Sequence, residues 1–126
     1  MSLRSPLGRV LGMGSAKEGV AHWWAQRVSA VALIPLTLWF FFSLLALPDL
    51  QFDTVKIWLG LPISSLLALL LVTVLFYHSY LGTSVIVEDY VHAAGAKLLW
   101  LLALRFLYVL AGAAALFAIL RVAFGS

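Results

Sequence analysis

The sequence predicts an all-α integral membrane protein. Three transmembrane helices run up, down and up, with the N-terminus in the cytoplasm and the C-terminus outside. Three observations carry that reading. Of the 126 residues, 64% are hydrophobic and only 10% are charged, whereas a soluble domain carries about 25% charged residues. The mean hydropathy is +1.09. The apolar residues also gather into three long runs separated by short polar stretches.

The first run, Val28 to Leu47, is twenty residues without a formal charge, enough to cross a ~30 Å hydrocarbon core as a helix. Trp23 and Trp24 form an interfacial belt at one end, so the span is placed at 22–47. Pro35 lies inside it, a residue membrane helices tolerate when neighbours re-satisfy the backbone. Pro48 and Asp49 end the span. The second run goes from Pro62 to Val87, with the span placed at 62–89. Pro62 suits the first turn of a helix, where its missing N–H would be unpaired anyway. At ~1.5 Å per residue the run reaches ~39 Å, so this helix tilts or projects beyond the core. The third run, Leu98 to Leu120, is broken by one charge, Arg105, and its span is placed at 98–122. Arg105 is expected to snorkel toward the cytoplasm. Trp58 and Trp100 read as interfacial residues.

Charge sets the orientation. The N-terminal part carries Arg4, Arg9, Lys17 and Arg27, and the loop 88–97 adds Lys97. The loop 48–61 has only Lys56 against Asp49 and Asp53, and the C-terminal end has Arg121. The positive-inside rule therefore puts the N-terminus and the second loop in the cytoplasm. The net charge of +3 reflects this clustering and is not a nucleic-acid signature. Residues 1–21 are Gly/Ser-rich and hold no uninterrupted apolar stretch, so no cleavable signal is expected and the first span acts as an anchor. Without cysteine, disulfides and thiolate ligation of metals are excluded. Residues 1–126 read as one domain, too small to enclose much of a cavity alone, and so as one subunit of a larger assembly.

The stretch Phe76–His92, FYHSYLGTSVIVEDYVH, holds the residues that need explaining. Polar groups in hydrocarbon are costly and mark function by default. His78 and Asp89 are eleven residues apart, which on a helix brings them within ~20° of one face. Asp89 falls near the cytoplasmic interface, and His78 is ~16 Å deeper, close to mid-membrane. A neutral imidazole has one donor and one acceptor nitrogen, and both require partners. A haem iron, a proton relay and an interhelical hydrogen bond each meet that need. Gly82, one turn from His78, removes a side chain where a flat ligand or another helix would approach. His22 and His92 sit near the interface, so a second haem ligand would come from another chain. Arg27 opens the first span on the same side as Asp89 and Tyr90, either snorkelling or pairing with a carboxylate. Gln26 and Ser29 add polar capacity beside it.

HWWAQRVSAVAL (22–33), followed about fifty residues after the arginine by HSYLGTSVIVEDYVH (78–92), resembles the small hydrophobic membrane anchor of bacterial succinate dehydrogenase, respiratory complex II. The matching pattern is Arg27 with Ser29-Ala30, then a histidine eleven residues before an Asp-Tyr pair. The resemblance covers roughly residues 15–122. It implies that His78 is an axial ligand of haem b, with the other ligand from a companion cytochrome b anchor. It implies that Tyr90 hydrogen-bonds a ubiquinone carbonyl, that Asp89 serves the same site, and that Arg27 lies near the haem propionates. It further implies partners in the bacterial inner membrane: the companion anchor, an iron–sulfur subunit and a flavoprotein. The chain has no succinate site of its own. The competing readings are the anchor of a quinol:fumarate reductase and a haem-free assembly or transport protein in which His78 makes only a structural hydrogen bond.

Overall fold

The computed structural model describes the backbone of residues 6–125 and the side chains of residues 19–125. Arg4 and the side chains of Arg9 and Lys17, used above to orient the chain, lie outside the described residues. Within them there are four helices and no strand: α1 (Pro6–Ala46), α2 (Phe52–Gly60), α3 (Pro62–Tyr90) and α4 (Ala94–Phe124). Three are long and apolar enough to cross a membrane, α1 over Gly19–Ala46 and α3 and α4 over their whole lengths. A helix closes all its backbone hydrogen bonds within one segment, which is why an apolar run in lipid takes this form.

The helix ends follow local chemistry. α1 runs through Pro35 without a break and stops just before Pro48. α3 begins with Pro62 in its first turn behind an extended Leu61, whose carbonyl accepts the Ser65 N–H at 2.9 Å. Val91 closes its other end by donating to the Val87 carbonyl at 3.0 Å. Two features go beyond the sequence reading: α1 starts at Pro6, not near residue 22, and the loop 48–61 contains α2. Asp49 launches α2, its Oδ1 accepting the Gln51 N–H at 3.0 Å and the Thr54 hydroxyl at 2.6 Å. Those two donors, Thr54 first, hold the Asp49 carboxyl below its ordinary range.

α3 is the middle of the assembly. It packs against α1 on one side and α4 on the other, and α2 lies across α3 and α4. The buried residues among those described are few and mostly small: Ala68, Leu71, Leu81, Val87, Ser64, Ser65 and Ser84 on α3, with Ser29 from α1. Membrane helices associate through close approach and interhelical hydrogen bonds rather than by hiding large apolar groups from water. Many Leu, Phe and Val side chains are correspondingly left exposed on the outside of the bundle.

Candidate functional site

The α1–α3 seam brings together residues about fifty positions apart. Gln26 and Ser29 are three apart on α1, and His78 and Gly82 are four apart on α3, so each pair occupies one helix face. The two faces meet. Ser29 is 6% exposed. Its Oγ lies 2.9 Å from Nδ1 of His78 and 3.0 Å from the Gln26 carbonyl, to which it donates. A Cβ built on Gly82 would stand 3.7 Å from the Gln26 side-chain nitrogen. The approach that Gly82 permits within this chain is thus that of α1. The Gln26 side-chain oxygen is buried without a hydrogen-bond partner among the described residues.

Sequence reasoning set Gln26 and Ser29 beside Arg27 at the membrane edge; the fold turns them onto α3 instead. Arg27 points the other way, exposed, with its guanidinium 5.2 Å from the centre of the Trp23 ring. The i,i+3 spacing of Gln26 and Ser29 was the available signal. Two uncharged polar residues on one face of an apolar helix call for a partner helix.

α3 is continuous from His78 to Tyr90, which places the two ~18 Å apart along its axis. Asp89 is exposed near the end of the helix, and Tyr90, the last helical residue, is 77% exposed. The two are neighbouring exposed side chains, with no described residue closed over them. His92 follows the helix end and is also exposed. Among the described residues no cluster of three or more His, Asp or Glu could hold a metal ion.

A second polar set lies between α3 and α4. The Thr83 Oγ1 donates to the Ser79 carbonyl at 2.7 Å and lies 2.9 Å from Tyr108 Oη. The Tyr80 and Tyr108 rings meet edge-on at 5.8 Å. Arg105 Nε reaches Tyr80 Oη at 3.4 Å. Arg105, Tyr80, Ser84, Glu88 and His22 border a cavity of about 400 Å³. Ser84 is 5% exposed and its hydroxyl is unpartnered among the described residues. On α4, Gly112 faces the Phe76 ring, 3.7 Å from where its Cβ would stand.

The family model described as "Succinate dehydrogenase/Fumarate reductase transmembrane subunit" matches residues 1–112. Among similar curated proteins, the succinate dehydrogenase hydrophobic membrane anchor subunit of Paracoccus denitrificans is 33% identical over 115 residues, covering 91% of this chain and 88% of that one. The protein of the same name from Rickettsia bellii is 33% identical over 88 residues, 70% of each chain. The succinate dehydrogenase membrane anchor subunit of Reclinomonas americana is 32% identical over 92 residues, 71% of this chain and 77% of that one. No solved structure gives a significant match.

Proposed function

The chain belongs to the succinate dehydrogenase/fumarate reductase transmembrane subunits, and on that premise we propose that it anchors a succinate:ubiquinone oxidoreductase in the bacterial inner membrane, ligates haem b through His78 and forms one wall of the ubiquinone site with Tyr90 and Asp89. A companion cytochrome b anchor supplies the second haem ligand. Electrons from succinate arrive through a flavoprotein and an iron–sulfur protein. The observation that carries this reading is the state of His78. It sits on a helix long and apolar enough to span a membrane, and its contact with Ser29 engages Nδ1 alone. That leaves Nε2 as the nitrogen for a metal. A ligating histidine ordinarily gives its other nitrogen to a hydrogen-bond partner of this kind. Haem b, when bound, stores one electron at a time.

The residues of this chain then have separate tasks. His78 would offer its Nε2 to the haem iron, with Nδ1 kept on Ser29. Gln26 and Ser29 fix the α1–α3 seam beside it. Arg27, near Ser29 along α1 but exposed on another face over Trp23, would supply a cation for the propionate carboxylates. At the end of α3, the Tyr90 O–H donates to a quinone carbonyl oxygen, whose negative charge grows as electrons arrive. A phenol is a neutral donor near pH 7 and stays in place through that change. Asp89 passes protons to the site from the water it faces.

Tyr90→Phe removes the donor and keeps the ring. We expect a loss of quinone reductase activity on the order of a hundredfold, with the haem absorption unchanged and the flavoprotein still copurifying. Unchanged turnover with ubiquinone would remove Tyr90 from the site. Failure of any flavoprotein to copurify would remove the anchor assignment itself.

A further inference from the structure

We propose that Ser29 is a positioning residue that fixes the tautomer of His78 and so tunes the haem that His78 ligates; this rests on the haem-ligand reading above. Counting protons leads there. The Ser29 hydroxyl has one hydrogen and two neighbours that compete for it, the Gln26 carbonyl at 3.0 Å and the His78 Nδ1 at 2.9 Å. A carbonyl oxygen can only accept. An imidazole nitrogen donates or accepts according to tautomer. Both contacts are satisfied together only when the serine donates to Gln26 and Nδ1–H of His78 donates to the serine oxygen.

That arrangement has a consequence at the far side of the ring. With the proton on Nδ1, Nε2 carries the lone pair. The opposite tautomer would put a proton on Nε2 and block it from a metal. Ser29 therefore selects the form of His78 that can bind iron, before any iron is present. Ser29 is 6% exposed, so water does not compete for its hydroxyl. Gly82 belongs to the same device. A long side chain there would meet the Gln26 side chain and lift the α1 face that carries Ser29.

The Nδ1–H bond also feeds electron density into the ring. A more electron-rich imidazole stabilises the ferric state and lowers the reduction potential. Losing the serine oxygen should raise it.

The test uses the intact complex carrying wild-type, Ser29→Ala or Ser29→Thr anchor, with the haem midpoint potential, the ferric EPR g-values and haem content per complex all measured. We expect Ser29→Ala to keep its haem but move to higher potential with altered g-values, and Ser29→Thr, which retains the hydroxyl, to restore both. Haem lost in Ser29→Ala and kept in Ser29→Thr would also support the proposal, since the hydroxyl alone separates the two variants. Three results would overturn it: wild-type values in Ser29→Ala, equal shifts in both variants, or equal haem loss in both. A wild-type complex without b-type haem would instead defeat the reading of His78 as a ligand.

Discussion

The half of the bundle that carries His78 to Tyr90 and the half that carries α2 are built from the same three spans, yet different forces hold them. In the first, contacts between helices are polar and specific: Ser29 to His78 across α1 and α3, and Thr83 to Tyr108 across α3 and α4. In the second they are aromatic and apolar. Trp58 of α2 stacks on Trp39 of α1 with ring centres 5.7 Å apart and lies 6.2 Å from Phe40. Beside them a cavity of about 550 Å³ is lined by Phe40, Leu44, Leu71, Leu75 and Ile119. Hydrogen bonds between membrane helices add only about 0.6 kcal/mol each on average, so the polar half gains little stability from them. It gains fixed orientation of particular nitrogens and hydroxyls, which chemistry needs and packing alone does not supply.

A large side chain at Gly82 should break the polar half most severely. A Cβ there sits 3.7 Å from the Gln26 side chain, an ordinary contact, so Gly82→Ala should be accepted with little change. Gly82→Leu overpacks the seam, which should cost about 1–3 kcal/mol and lower the haem content of the purified complex. Thermal unfolding in detergent and pigment per protein would check both variants. If Gly82→Leu behaves like Gly82→Ala, the seam is looser than described.

The aromatic half should respond differently. Trp58→Ala removes two ring contacts, each contributing about 0.5–1.5 kcal/mol beyond buried area. We expect faster hydrogen exchange across residues 52–60 and a lower unfolding temperature, with the haem spectrum untouched. A spectral change in this variant would show that the two halves are coupled.

The smallest effect belongs to the turn into α2. The Asp49 carboxyl is held low by the Thr54 hydroxyl and the Gln51 N–H. A depressed folded-state value stabilises the turn above the unfolded carboxylate value of about 3.9, and that contribution is lost as pH falls through the folded value. Carboxyl NMR should show Asp49 titrating below an ordinary aspartate, and Thr54→Val should move it back up. An identical titration in the variant would mean that the hydroxyl contributes nothing.

The contrast also explains what the sequence disclosed. The all-α class, the three long apolar helices and the start of α3 at Pro62 were readable, because length in lipid and the missing proline N–H are local properties. The shared face of His78 and Asp89 followed from helical period, and α3 runs unbroken between them. The partner of His78 was not readable. Ser29 lies about fifty residues away, and its own neighbour Arg27 offered a simpler explanation for a polar cluster. Helix α2 was missed because Asp53 and Lys56 made a short segment look like a solvated loop, while its Val55, Ile57 and Trp58 are too few to announce a helix by period. The N-terminal turns of α1 were missed because glycine and serine give the backbone little helix preference.

One measurement bears most directly on His78 as a haem ligand, the reduced-minus-oxidised spectrum of the purified complex with wild-type anchor and with His78→Ala. We expect a b-type band in the wild type that is absent or displaced in the variant, with the flavoprotein still bound. An identical band in the two complexes, or none in either, would contradict that role.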